Sequence, residues 1–270
     1  MHEVLAVGQR EVTANGAGIG LATIGGSGEG ADHGDGLVAL EHQRDERAGR
    51  GELPQWRVEV AVDVLRVVGI RRLAGLGVDV LVGARSADSD SLASFADLDV
   101  RTGSFSDAAA HADLLINATN GINSLAVLES IGADALAGKT VIDLSNELVP
   151  VEGGYPTAAA SPERSIGRRL QEAFPETFVV KSLNTMNCMV MVDPSIVPGD
   201  HVVFLSGDDA DAKDRVREFL AMFGWRSEQM VDLGGIDTAK GPEMMMTVWI
   251  QVTIARGQGA PWFNWAISST

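Results

Sequence analysis

After Trp56 the chain alternates short apolar runs with stretches of helical spacing, and that alternation constrains its fold more than any other feature. Runs at 78–83 (VDVLVG), 112–117 (ADLLIN), 140–144 (TVIDL) and 177–183 (TFVVKSL) are short, largely apolar and bounded by polar or glycine residues. Runs of this kind suit strands covered on both faces, as in a parallel sheet. Between them, 123–131 and 165–174 carry apolar residues at helical spacing, and 106–111 opens with Ser106 as a cap and Asp107 in its first turn. Residues 91–98 predict a short helix or loop before a brief strand around Val100. Beyond Pro194 the pattern predicts a strand at 201–206, a helix at 210–223, a strand at 229–233 and closing helices. The rhythm is that of βαβ units.

The fold class is therefore α/β: a Rossmann-type doubly wound parallel sheet with a small C-terminal helical and strand extension, preceded by an irregular N-terminal segment. Residues 1–55 contain no Phe, Tyr or Trp, and 16–36 alternate glycine with small and acidic residues, so this stretch supplies little core. We divide the chain into a low-complexity, poorly ordered leader at 1–56, a Rossmann-type domain at 57–195, and an extension at 196–270 that completes a site or a dimer contact. The first strand falls at 58–64, and only Gly69 survives from a glycine fingerprint. The NGAGIG stretch at 15–20 resembles a glycine turn but lacks a second strand and helix to complete its unit, which leaves it in the leader.

With 21 Lys plus Arg against 37 Asp plus Glu, the formal charge of -16 repels polyanions, so nucleic acid and anionic membranes are excluded as partners. A phosphorylated cofactor would need a local basic pocket. The lone Cys188 forms no internal disulfide, no secretory leader is visible, and the apolar run at 244–254 is interrupted by Thr247 and Gln251. These features predict a cytoplasmic protein. The five histidines lack the clustered spacing of a metal site and are expected at the surface. Met244, Met245 and Met246 with Trp249 are expected to pack a core or dimer contact, and Cys188 has no histidine nearby to activate it.

Ligands of doubly wound sheets lie across the carboxyl ends of the strands, so polar residues just after apolar runs are the candidates. Gly83, Ala84, Arg85 and Ser86 follow one run, where a cation and a hydroxyl could meet a ribose 2′-phosphate; an ordinary loop arginine gives the same pattern. Asn117, Ala118 and Thr119 after the next run, and Ser145 and Asn146 after the third, could border a nicotinamide and its ribose, or simply form Asx-type turns that close strands. Asn184 and Thr185 could orient a planar second substrate, or form a plain loop.

In order and spacing, the segments VGARS, HADLLINATNG, LAGKTVIDLSN, AFPETFVVKSLNTMN, MVDP, VPGDHVVFLSGDD and the closing FNW resemble the NADPH-dependent coenzyme F420 reductase family, from about residue 81 to the C-terminus. The resemblance implies an oxidoreductase that moves a hydride between NADP and the deazaflavin F420 with the two rings face to face. It implies that Arg85 and Ser86 take the 2′-phosphate, that Ala118 and Thr119 lie by the nicotinamide, and that Asn184 with Thr185 flank the deazaflavin. Two aligned rings need proximity and no nucleophile, metal or strong base, so no catalytic acid is nominated. Archaeal members of the family carry histidine where Asn184 stands, and the related cytoplasmic domain of membrane ferric reductases carries asparagine. An NADPH-dependent reductase of a flavin, quinone or ferric acceptor is therefore the second reading. Small-molecule redox substrates and a homodimer built on the closing helices complete the expected partners.

Family members open with a strand and a glycine-rich turn that brings pyrophosphate against backbone amides at a helix N-terminus. Here that turn is missing, and composition and resemblance change abruptly near Val68, as a shifted reading frame or misplaced start would cause. A third reading follows: a catalytically silent dinucleotide-binding protein that has lost its phosphate loop.

Overall fold

Strand alternation sorts the core residues of this computed structural model onto the two faces of one sheet. Val80 and Val82, Leu114 and Ile116, Ile142, and Val180 pack into one core; Leu81, Leu115, Val141 and Val179, one residue out of phase, pack into the other. A two-residue period on strands covered from both sides produces this division. The structure describes residues 37–40, 42–43, 55–58, 63–149, 157–158, 164–256 and 262–268.

In chain order the strands are β1 (Leu37–Leu40), β2 (His42–Gln43), β3 (Gln55–Val58), β4 (Asp79–Ala84), β5 (Arg101–Ser104), β6 (Leu114–Asn117), β7 (Thr140–Asp143), β8 (Leu148–Val149), β9 (Thr157–Ala158), β10 (Phe178–Ser182), β11 (Val203–Ser206) and β12 (Met230–Asp232). The helices are α1 (Asp63–Gly75), α2 (Phe105–His111), α3 (Gly121–Ile131), α4 (Ala133–Leu136), α5 (Ile166–Ala173), α6 (Cys188–Val192), α7 (Ala210–Met222) and α8 (Lys240–Arg256). The main sheet runs β12-β11-β10-β7-β6-β1-β4-β3-β2, with β5 also on β4. Strands β3, β4, β5, β6, β7 and β10 are mutually parallel, while β1 and β11 run against them. Helices α1, α6 and α7 cover one face, and α2, α3 and α5 the other.

Two short pieces of opposite direction share the place between β4 and β6. β3 lies beside Asp79 and Val80, whereas β1 lies beside Leu81 and Val82 and pairs along the length of β6, from Leu37 opposite Asn117 to Leu40 opposite Leu114. Leu37–Leu40 thus joins the sheet although the sequence places it in the leader, because its partners are more than forty residues away in the chain and nothing local announces them. The NGAGIG stretch lies outside the described residues. The first parallel strand ends at Val58 and a helix has begun by Asp63, earlier than the expected strand at 58–64. Gly69 lies in the interior of α1, not in a turn, and Ile70 and Leu73 of that helix are buried at helical spacing.

Two further expectations are corrected. The cap of α2 is Ser104, not Ser106: the Ser104 hydroxyl accepts from the Asp107 amide at 3.1 Å and the Asp107 carboxylate accepts from the Ser104 amide at 2.8 Å, a reciprocal capping box. His201 is buried, not superficial. Its Nε2–H donates to the Pro194 carbonyl at 2.9 Å and its ring meets Trp225 edge-on at 5.2 Å. Strands β11 and β12 extend the sheet of the preceding residues. Among the described residues, no helix is long and apolar enough to cross a membrane, and no group of His, Cys, Asp or Glu could hold a metal ion.

Candidate functional site

The parallel strands β6, β7 and β10 end side by side, with Asn117 in register with Asp143 and Asp143 in register with Lys181. Each of these polar residues comes two positions after a residue of the same core, Leu115, Val141 or Val179, so alternation turns all three toward the face of α3 and α5. All are almost wholly buried, so their hydrogen-bonding groups must be satisfied inside the protein.

They satisfy one another. The Asn117 amide nitrogen donates to Asp143 Oδ1 at 2.9 Å, which also accepts from the Ser145 hydroxyl at 2.6 Å and the Ser145 amide at 3.1 Å. Asn117 Oδ1, turned the other way, accepts from the Thr119 hydroxyl at 2.8 Å, and Thr119 Oγ1 lies 2.6 Å from the Ser124 hydroxyl of α3. Lys181 Nζ donates to Asp143 Oδ2 at 2.9 Å and to the Ser145 carbonyl, and lies 3.0 Å from Glu243 Oε1 of α8. Burial alone would lower the Lys181 pKa, but the Asp143 and Glu243 carboxylates outweigh it and hold the ammonium above the ordinary lysine value. Glu243 also accepts from the Ile166 and Gly167 amides at 2.8 and 3.2 Å, closing the N-terminus of α5.

Immediately after β10 the backbone folds into a tight turn. Leu183 has φ +63°, and the Asn184 amide donates to the Ser182 carbonyl at 2.8 Å. A bulky residue in this region is strained, and such strain persists where the surroundings over-determine it. Here the surroundings are a buried leucine side chain on one side and a reciprocal clamp on the other. Asn184 Nδ2 donates to Asn146 Oδ1 at 3.1 Å, and Asn146 Nδ2 donates to the Asn184 carbonyl at 2.8 Å. The Asn146 carbonyl then accepts from the Gly121 amide at 2.9 Å. A side chain at Gly121 would meet the Asn146–Glu147 backbone at 2.8 Å, so only glycine permits this approach. The C-terminal segment closes the far side, where the Trp265 indole donates to the Thr185 carbonyl at 3.1 Å and Phe263 stacks on Trp249 at 5.6 Å.

The structure thus joins Asn117, Thr119 and Ser145 through Asp143 in one hydrogen-bonded cluster and clamps Asn146 to Asn184 directly beside it in the chain, with Ala118 half-buried between Asn117 and Thr119 and the Thr185 carbonyl bonded to Trp265. It does not bring the other four into that cluster. Gly83 and Ala84 are the buried last residues of β4, paired with Gly103 and Ser104, while Arg85 and Ser86 lie exposed just beyond, with β1 between their strand and β6. Ser86 Oγ accepts from the Asp88 amide at 3.3 Å. Arg85, Thr119 and Asn184 nonetheless follow the carboxyl ends of three parallel strands, so they stand along one edge of the sheet. Lys181, Glu243, Leu183 and Trp265 were not singled out from sequence. Only Lys181, an unusual residue for a buried strand, carried a local signal.

No family model and no curated protein matches the chain. Among solved structures it is similar to a protein of Arthrobacter sp. FB24 assigned as an F420-dependent NADP reductase, at 38% identity and a TM-score of 0.71, over 78% of this chain and 98% of that one. The chain belongs to the F420-dependent NADP reductase family. Remoter likenesses bear on the fold of the family alone. The hypothetical protein SMa0349 of Sinorhizobium meliloti matches at 22% identity and a TM-score of 0.54 over 67% of this chain and 86% of its own. An imine reductase of Streptomyces aurantiacus matches at 16% and 0.53, over 73% of this chain and 62% of its own. Between β3 and α1 this chain has Glu59, Val60, Ala61 and Val62, with an acid and no glycine.

The strand tips offer amides, hydroxyls and a close backbone approach at Gly121, with the buried Lys181 ammonium paired to the Asp143 and Glu243 carboxylates. Cys188 is no competitor as a nucleophile, since burial pushes its thiol pKa up.

Proposed function

We propose that the protein is an NADP-dependent oxidoreductase that transfers a hydride between NADP(H) and the deazaflavin coenzyme F420. The observation that carries this reading is the placement of Arg85, Thr119 and Asn184 just after the carboxyl ends of three parallel strands of one sheet, in a chain 38% identical to a protein assigned that activity. The cofactors supply the redox chemistry: two electrons and a proton leave the dihydronicotinamide as hydride, and a solvent proton completes the reduced deazaflavin. The chain's own residues bind and orient. Arg85 and Ser86 hold the 2′-phosphate, Ala118 and Thr119 border the nicotinamide, Ser145 and Asn146 its ribose, and Asn184 with Thr185 face the second ring. Because the side chains of Asn117, Thr119, Ser145, Asn146 and Asn184 are engaged within the protein, they act chiefly by fixing the shape of the tips, and half-buried Ala118 makes the closer contact.

One observation favours a second reading, dinucleotide binding without turnover: the connection at 59–62 lacks glycine. Titrating the purified protein with NADPH by fluorescence, then adding F420 anaerobically, separates the two. Bleaching of F420 at a rate that saturates with NADPH is expected. NADPH binding with no bleaching would establish the second reading, and turnover with free flavin but not F420 would replace the acceptor. We further propose that the exposed Met244, Val248 and Ile254 of α8 pair two copies into a homodimer, and that the enzyme works in the reducing cytoplasm that its single free cysteine suits.

A further inference from the structure

The hydrogen bonds of the strand tips have a fixed direction that starts at Lys181. Its ammonium only donates, so the Asp143 and Glu243 oxygens facing it must accept. Asp143 Oδ1, acceptor-only as well, can receive only the nitrogen end of the Asn117 amide at 2.9 Å. The oxygen end is thereby turned to Thr119, whose hydroxyl must donate to it at 2.8 Å and can then only accept from Ser124 at 2.6 Å. A neutral residue at 181 would loosen this order, leaving the Ser145 and Thr119 amides, at 3.1 and 3.3 Å, as the groups that still hold Asp143 Oδ1 and Asn117 Oδ1 as acceptors.

Glu243 carries the same chain of constraint out to the C-terminal helix, since one carboxylate receives both Lys181 and the first amides of α5. We propose that Lys181 is a positioning residue: through Asp143 and Asn117 it sets which way Thr119 presents its hydrogen-bonding groups at the strand tips, and Glu243 ties that setting to the docking of α8. The assignment of Thr119 to the nicotinamide rests on the proposed function; the relay itself does not.

A double-mutant cycle on the full chain without cofactor tests the relay. Lys181→Met and Thr119→Val are made singly and together, and each is unfolded thermally. The hydrogen bonds joining the two residues run through Asp143 and Asn117, so a relay requires that Thr119→Val lower the Tm by at least roughly 2 °C less in the Lys181→Met background than in wild type. Additive losses would overturn the proposal. Should Lys181→Met fail to fold, Lys181→Gln takes its place in the cycle, since it too removes the fixed charge that faces Asp143.

Glu243→Gln gives the functional readout. If Lys181 and Glu243 position and do not bind, its kcat for F420 reduction falls roughly 10- to 100-fold while the NADPH Kd, read by direct titration, stays within about twofold. An unchanged kcat, or a Kd that weakens in proportion to the lost rate, would overturn the positioning role. A wild-type chain that bound no NADPH would sink the proposed function and leave the result of the thermal cycle standing.

Discussion

Replacing Gly121 by alanine should unsettle the fold and the site through one atom. Gly121 is the first residue of α3, and its amide holds the Asn146 carbonyl at 2.9 Å. A β-carbon built there lies 2.3 Å from Ile166 Cδ1 and 2.8 Å from both Asn146 C and Glu147 N. The isoleucine methyl can swing away, but the backbone cannot retreat without stretching the Gly121–Asn146 hydrogen bond and pulling at the Asn146–Asn184 clamp. Overpacking of this kind costs about 1–3 kcal/mol, and a weakened hydrogen bond about 0.5–1.5 kcal/mol more. The lower backbone entropy of alanine in the unfolded chain returns at most about 1 kcal/mol. The net loss is about 1–3 kcal/mol, and at roughly 2–4 °C per kcal/mol for a chain of this size the Tm should fall by roughly 2–12 °C. Scanning calorimetry of both proteins reads the shift, and NADPH titration should show weaker binding by the alanine variant because Asn146 is displaced. An unchanged or higher Tm would refute the reasoning, since it would mean that the 146–147 backbone yields freely.

Gly69→Ala should act in the opposite sense: in mid-helix its β-carbon meets only Val192 Cγ1, at 3.7 Å, beside an apolar void of about 20 Å³, so stability rises by about 1 kcal/mol, measurable as a higher urea midpoint. Arg85→Ala should weaken NADPH roughly 10- to 100-fold and NADH hardly at all, and equal losses in the two titrations would remove Arg85 from the 2′-phosphate. Asp107, held low by the Ser104 hydroxyl and amide, and Asp232, held low by Lys213, Gly234 and Arg217 against its partial burial, contribute stability above the ordinary carboxylate pKa that is lost as pH falls through their lowered folded values. Wild type should therefore be more stable than Asp107→Asn or Asp232→Asn at neutral pH and converge with them in strong acid, as followed by circular dichroism; a constant gap would count against these assignments. Light scattering should report a dimer that Val248→Glu on α8 dissociates, and a wild-type monomer would end that reading.

The sequence made legible those parts whose signal is local. Buried parallel strands are largely apolar, so 78–83, 112–117 and 140–144 are legible within a residue or two, and the serine three residues before Asp107 is a legible cap for α2, although Ser106 lies closer to the helical run. What could not be read is whatever depends on a distant partner. Lys181 in an apolar strand makes sense only beside Asp143, 38 residues away, and Glu243 on another helix. His201 looks superficial until Trp225 and Pro194 enclose it. β1 is a four-residue apolar run inside a glycine-rich stretch, too short to announce a strand, and its place in the sheet comes from β4 and β6. The candidate residues Asn117, Thr119, Ser145, Asn146 and Asn184 were identifiable because strand ends can be located; that they bond to one another was not, because register between strands is a tertiary property.

The left-handed backbone at Leu183 restricts how this position can vary. Glycine would relax the main chain by about 1 kcal/mol but forfeit a buried side chain worth about 2–5 kcal/mol, and a β-branched residue would intensify the crowding without filling the same space. Descendants of this protein are therefore confined to a narrow corridor at 183, a long unbranched-at-Cβ hydrocarbon, even though the residue itself forms no bond with any reactant.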